Sequence, residues 1–243
     1  MNLIKANIEN LTSLWQLVGQ KTNAFYTQEE MKYCEVINSE WPNRLWFPNK
    51  VSEANLEAAK QILLKSSVEM KISCWNDSEE DFDGLFEKCG FEKVSKQIGM
   101  VLKFNGNVEI TSAIKLERVL DKTKAVLWSE LFGEAFNYRI APELLLLSWN
   151  DVEYFIAYDN EQPVGTCLLY SSASDVVGIH SLGIIPSMRR KGYAEKIMKL
   201  LLNESMESGF SYATLQASEM AKVMYAKLGF STQFMMNNYR LKK

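Results

Sequence analysis

Leu182-Gly183-Ile184-Ile185-Pro186-Ser187-Met188-Arg189-Arg190-Lys191-Gly192-Tyr193-Ala194 is the stretch that decides the fold of this 243-residue chain. An apolar strand enters a basic turn containing a glycine, and the turn enters an amphipathic helix. That order places backbone N–H groups at a helix N-terminus, where a phosphate or diphosphate is held by amide donors and the helix dipole. Gly192 lets the main chain approach an anion closely, and Ala194 is too small to block it. Arg189, Arg190 and Lys191 add positive charge around it.

Outward from this turn, both directions read as regular structure. Val176 to Ile184 is the strand that feeds it, and Tyr193 to Ser208 is the helix that leaves it. Upstream, Val152 to Tyr158 and Val164 to Tyr170 flank Asp159-Asn160-Glu161-Gln162-Pro163 and read as a β-hairpin. Trp128, Leu131, Phe132 and Ala135 line one helix face, and Pro142 opens the next helix. Downstream come a strand at Tyr212 to Gln216, a helix at Glu219 to Leu228 and a closing strand at Gln233 to Leu241.

The end of this plan is written twice. Leu85-Phe86-Glu87-Lys88-Cys89-Gly90-Phe91 returns as Met224-Tyr225-Ala226-Lys227-Leu228-Gly229-Phe230, 139 positions later. At that offset Glu80, Lys88, Gly90, Phe91, Leu102 and Lys103 meet identical residues. Each copy reads strand, helix, Gly-Phe, strand, with the glycine where a helix end needs a left-handed residue. Duplication divides the chain into 1–104 and 110–243, with Asn105-Gly106-Asn107 as the linker. In the first segment Leu11, Leu14 and Val18 mark a helix, and Thr27 with Glu30 reads as a capping box opening another. Arg44 to Phe47 reads as a strand, and Ser52 starts a helix. No glycine occurs between Gly19 and Gly84, and the strand-to-helix connection is Phe47-Pro48-Asn49-Lys50-Val51-Ser52. Pro48 removes a backbone donor, so this segment is expected to lack an anion-binding turn.

Composition narrows the function. The formal charge is −3 and apolar residues are 47%. That balance gives no support to a nucleic-acid surface. Cys34, Cys74, Cys89 and Cys167 have neither C-x-x-C spacing nor neighbouring histidines, which argues against zinc, another metal site or a disulfide framework. No signal-peptide pattern and no membrane-length apolar run is present, so a soluble cytoplasmic protein is expected.

The turn R-x-x-G-x-A, from Arg189 to Ala194, matches the Q/R-x-x-G-x-G/A signature of the GNAT acetyltransferases. The preceding L-G-I-I-P is similar to that family's L-A-V-x-P. The order of elements after residue 110 resembles the family throughout. The resemblance implies an α/β fold of two tandem GNAT-like domains, each a mixed, mostly antiparallel sheet flanked by helices, with the first unable to hold the cofactor. It implies acetyl-CoA as cofactor and direct attack on its thioester by a primary amine of a small molecule or peptide. The implied cofactor-binding residues are Leu182, Gly183, Ile184, Arg189, Arg190, Lys191, Gly192, Tyr193, Ala194 and Ser218, the last standing where the family usually has Asn. The Ile184 amide matches the position that polarises the thioester carbonyl. Tyr225 matches the proton donor to the leaving thiolate, and its counterpart in the first segment is Phe86. His180, the sole histidine, lies where the arylalkylamine acetyltransferases carry one, and its reference pKa suits a general base. Glu143 and Glu153 are further candidates. A non-catalytic acyl-CoA-binding module and an aminoacyl transferase of the doubled type are the alternatives. No nucleic-acid or membrane partner is expected. A doubled fold would reproduce a two-subunit pairing inside one monomer.

Overall fold

Two groups of strands meet edge to edge in the computed structural model, which describes residues 1–76, 82–106, 109, 113–173 and 175–242. The first segment contributes α1 (Leu3–Lys21), β1 (Phe25–Gln28), β2 (Met31–Cys34), β3 (Arg44–Trp46), α2 (Glu53–Lys65), β4 (Lys71–Asn76), α3 (Asp83–Lys88) and β5 (Phe91–Lys103). The second contributes β6 (Ile114–Arg118), α4 (Lys122–Phe136), α5 (Pro142–Ser148), β7 (Glu153–Asp159), β8 (Gln162–Ala173), β9 (Val176–Ile184), α6 (Tyr193–Glu207), β10 (Tyr212–Ala217), α7 (Glu219–Lys227) and β11 (Ser231–Leu241). Among the described residues they form one eleven-stranded sheet, in the order β1-β2-β3-β4-β11-β5-β10-β9-β8-β7-β6. This is the mixed α/β architecture expected, with parallel pairs only at β3–β4 and β9–β10.

The two closing strands are exchanged. β11, from the second segment, pairs with β4 of the first. β5, from the first, pairs with β10 of the second. They also pair with each other along Phe91–Val101 and Ser231–Leu241. Each segment's last strand therefore completes the other segment's sheet.

The first helix is shared in the same way. α1 opens on Asn2, whose Oδ1 accepts from the Lys5 amide at 3.1 Å. Its apolar stripe, Leu11, Leu14, Trp15 and Val18, is buried in the core built mainly from α4, α5 and β7–β10. A second, smaller core holds Met31, Leu45, Leu56, Ile72, Phe86, Phe91 and Tyr239 under α2 and α3. Two asparagines lie inside the α1 stripe, and both are fully buried. Asn7 Nδ2 donates to the Met100 carbonyl at 3.1 Å and to Gln233 Oε1 at 2.7 Å. Asn10 Nδ2 donates to the Tyr170 carbonyl at 3.0 Å. Buried amides require such partners, so they pin α1 in one register on the second segment's sheet.

The elements expected after residue 110 appear within a few residues of their expected bounds, and Gly90 and Gly229 are left-handed, at φ +87° and +96°. The helix expected from Thr27 and Glu30 is absent: these residues lie in the β1–β2 hairpin. Glu29 turns the chain at φ +50°, and the Tyr26 and Tyr33 rings stack across the strands at 5.0 Å. Cross-strand aromatic pairing outweighs a local cap in so short a stretch. The four cysteines are free and buried. Among the described residues no helix is long and apolar enough to cross a membrane, and no cluster of metal-ligating side chains occurs. The acidic residues Asp77, Glu79, Glu80 and Asp81, and Asn107 of the linker, lie outside the described residues.

Candidate active site

The site begins where β9 and β10 part. They pair in parallel only at Tyr212–Val176, Ala213–Val177 and Thr214–Gly178. β10 then stays with β5 as far as Ala217. β9 stays with β8 as far as Ile184. A cleft therefore opens between Ile179–Ile184 on one side and Leu215–Ala217 on the other, with strand backbone along both walls. A bulge lies on the β9 wall, where Ser181 adopts φ +52° and its carbonyl accepts from Thr166 Oγ1 at 3.2 Å. Gly183 is required there because a Cβ would run into the Phe136 ring and Ala135 of α4.

At the end of β9 a 3₁₀ turn, Pro186–Met188, leads to the basic residues. Arg190 at φ +63° and Gly192 at φ +79° turn the main chain over the start of α6. At Gly192 the backbone angle is the constraint, since an added Cβ would meet open space. α6 starts with no side-chain cap. Its first-turn N–H groups thus face outward as donors, backed by the helix dipole.

The basic side chains divide their tasks. Arg189 is turned back on the protein: Nε donates to the Ile184 carbonyl at 3.1 Å and Nη2 to the Ala135 carbonyl at 2.8 Å. It clamps the turn to β9 and α4 rather than lending its charge to an anion. Lys191 Nζ lies 3.3 Å from Met188 Sδ. Arg190 is exposed at the mouth. The Tyr193 hydroxyl donates to Asp159 Oδ2 at 2.6 Å, which raises its pKa and ties α6 to the β7–β8 hairpin. Ala194, half-buried, completes the first turn.

Deeper in the cleft is a cavity of about 210 Å³. His180, Ser181 and Leu182 form its β9 wall, and Ser218, Ala221 and Tyr225 form its α7 wall. Of the sequence-derived residues, His180, Leu182, Ser218 and Tyr225 meet here, while Ile184 and the turn from Arg189 to Ala194 lie outside its lining. Ser218 caps α7, its Oγ accepting from the Ala221 amide at 3.3 Å. Its hydroxyl proton stays available to a ligand. Tyr225 is buried, and desolvation raises its pKa well above a free phenol's. Its counterpart Phe86 has no such opening, being stacked on Tyr239 at 3.7 Å in the smaller core.

His180 is more constrained than the sequence shows. Its Nε2 lies 2.9 Å from Asn10 Oδ1, which makes Nε2 the protonated nitrogen. Burial lowers its pKa to about 4, partly offset by a hydrogen bond with Gln216. The imidazole is neutral near pH 7 and too weak a base to strip an alkylammonium ion, which departs from the expected role. Glu153 is engaged with Arg118 at 3.2 Å, and Glu143 lies in the first turn of α5. Asn7, Asn10 and Gln216 went unread in the sequence. Only their place in an apolar stripe or beside the cleft marks them, since their partners are far away in the chain.

The first segment has a matching crossover with different chemistry. β3 and β4 also pair over three residues, but the chain leaves β3 straight after Trp46. α2 then closes its own N-terminus: Ser52 Oγ accepts from the Asn55 amide at 3.3 Å, and Asn55 Oδ1 accepts from the Ser52 amide at 2.7 Å. A larger cavity of about 620 Å³ lies beside it, lined by residues including Trp46, Phe47, Pro48 and Trp75.

Comparison with known proteins agrees with this geometry. The model of the acetyltransferase (GNAT) family matches residues 121–230. Comparison with curated protein sequences returns no match. Among solved structures, the chain is similar to a GCN5-related N-acetyltransferase from Kribbella flavida, with a TM-score of 0.72 and 14% identity over 98% of this chain and 96% of that one. A putative GNAT-family acetyltransferase from Novosphingobium aromaticivorans gives 0.63 and 10% identity over 98% and 97%. A tandem GNAT protein from the clavulanic acid biosynthesis pathway gives 0.56 and 11% identity over 81% and 74%. At these identities the likeness is one of fold. The matched stretch 121–230 contains the parted strands, the uncapped helix start and Tyr225, and it is this part of the chain that matches the GNAT acetyltransferase family.

Proposed function

We propose that the protein is an acetyl-CoA-dependent N-acetyltransferase whose acceptor is a primary amine of a small molecule or peptide. The observation that carries this reading is the uncapped start of α6 at the mouth of the β9–β10 cleft. Those residues fit acetyl-CoA. Free amides from Gly192 to Glu195 would hold the diphosphate, with Arg190 beside them. The main chain of Leu182, Gly183 and Ile184 has no strand partner on the β10 side, and apart from the Ile184 carbonyl, which Arg189 occupies, this edge is suited to an amide-bearing pantetheine arm. Ser218 has one hydroxyl proton to donate to that arm.

When bound, acetyl-CoA supplies the activated acyl group. The protein's part is positional and protonic. The Ile184 amide is the donor aimed at a developing oxyanion. Tyr225, which burial keeps protonated, would give its proton to the departing thiolate and recover one from the newly acylated nitrogen, so that the protons balance. His180, neutral and fixed by Asn10, orients the amine, which arrives already deprotonated.

A thiol-release assay across an amine panel tests the reading: turnover of some amines, dependent on acetyl-CoA, is expected. The second reading, an acyl-CoA-binding module without chemistry, draws on the low basicity of His180. Tight coenzyme A binding with no turnover of any amine would decide for it. A cytoplasmic protein with neither nucleic-acid nor membrane partners remains part of the proposal.

A further inference from the structure

The lining of the cavity carries a positive charge that no carboxylate among the described residues pairs with. Arg44, on β3 of the first segment, reaches over β4 to β11 and lines this cavity together with Tyr225. Arg44 is half-buried, and desolvation lowers its pKa. Nη1 donates to Asn238 Oδ1 at 2.9 Å and to Ser73 Oγ at 3.3 Å, and the group lies 5.3 Å from the centre of the Trp15 ring. Ser73 and Asn238 are themselves linked at 2.7 Å. All of these partners are neutral. Among the described residues no carboxylate forms an ion pair with Arg44. Glu40, in the adjoining cavity that Arg44 also borders, is held instead by the Arg139 amide at 2.6 Å.

A partly desolvated cation without a counter-ion keeps an unsatisfied charge that an anionic ligand can complete. The free edge of the guanidinium is a planar fork, which matches a carboxylate through two parallel hydrogen bonds. The cavity is small for a ligand site, so its acceptor is small too. Trp41 and Tyr138 add flat apolar surface beside the fork.

We infer that the acceptor is an aminocarboxylate, an amino acid or close analogue, whose carboxylate pairs with Arg44 while its amine points toward Tyr225 and the β9 wall. This rests on the acetyltransferase reading and names its substrate class. It also gives the first segment a function: it supplies the acceptor's counter-ion to a site whose cofactor residues all belong to the second.

The test compares kcat/KM for each of the twenty standard amino acids with that of its C-terminal amide. The amides have the less basic, more readily deprotonated amine, so simple reactivity favours them. Wild-type protein is expected to prefer the best amino acid over its amide by about a hundredfold, the scale of a lost charge-assisted contact in a buried site. Arg44→Met should bring that ratio to within a few-fold of unity, with coenzyme A affinity unchanged by calorimetry. Arg44→Lys, which keeps the charge and loses the fork, should fall between them. Equal use of acids and amides by the wild type, or a preference that survives in Arg44→Met, would overturn the inference and leave the acetyltransferase reading standing. If Arg44→Met does not fold, the wild-type ratio and Arg44→Lys decide. Absence of turnover with every amine of both series would instead remove the acetyltransferase reading, and the inference with it.

Discussion

The β3–α2 and β9–α6 crossovers are built on one plan and finished in opposite ways. Each joins two parallel strands that pair over three residues. At α2 the side chains of Ser52 and Asn55 satisfy the first amides, and Pro48 stiffens the approach. At α6 the equivalent amides have no side chain to serve, because Gly192 occupies the cap in a left-handed conformation. β9 continues six residues past its last pair with β10, exposing backbone to the cleft, whereas β3 stops at its last pair with β4. On the proposed reading, the comparison teaches that a phosphate socket needs two omissions together: no cap on the helix and no partner for the strand leading into it. The first segment has neither omission, and it acts on the site by lending Asn10, Trp15 and Arg44 to the other segment's cleft.

The substitution that most severely breaks this contrast is Gly192→Glu. It forces an L residue to φ +79° and puts a carboxylate at the mouth of the socket. Coenzyme A affinity should fall by at least about a hundredfold, combining backbone strain with like-charge repulsion. Calorimetry checks it, and a change below tenfold would contradict the placement. Tyr225→Phe gives this site the residue type found at Phe86. It should lower kcat by about a hundredfold, the usual scale for loss of a general acid, with coenzyme A affinity unchanged. An unaltered kcat would remove the proton-donor role.

A smaller effect separates the two halves by pH. The His180 pKa is about 4 when folded against 6.5 when free. The unfolded chain binds the extra proton between these values, so this contribution to stability is complete above pH 6.5 and is lost as pH falls toward 4. At pH 5 the loss is about 2 kcal/mol. Urea unfolding at pH 7 and pH 5 should show that drop for the wild type and its absence in His180→Gln. Equal drops in both would show that His180 is not the group responsible. The smallest effect sharpens the comparison from the other side. Ser52→Ala should cost α2 about 1 kcal/mol of stability, as loss of an N-cap does. It should create no second coenzyme A site, because β3 still offers no free edge. Two equivalents bound per chain would show that capping alone closes the first segment.

How much of this was readable in the sequence depends on how far apart the partners lie. The β7–β8 hairpin, β9, α6, β10, α7 and β11 follow from local alternation, caps and turn residues. The turn at Gly192 follows from a motif. The β1–β2 hairpin was misread because Thr27 and Glu30 carry a local helix signal that the pairing of Tyr26 with Tyr33 overrides. The exchange of β5 and β11 leaves no local trace, since either strand's alternation would fit either sheet. The motif names Arg189 but does not show that its guanidinium holds the Ile184 and Ala135 carbonyls. Asn7 and Asn10 read as polar interruptions of an amphipathic stripe, because Met100, Tyr170, His180 and Gln216 lie 93 to 209 residues away. Arg44 sits in a short strand with nothing in its neighbourhood to announce a cavity.

A crystal structure of the protein soaked with coenzyme A tests the central claim most directly. The account predicts one molecule per chain, with its diphosphate on the amides that follow Gly192 and its sulfur end between β9 and β10 near Tyr225. Density for the diphosphate at Ser52 and Asn55, or a cofactor whose phosphates make no contact with the start of α6, would contradict it.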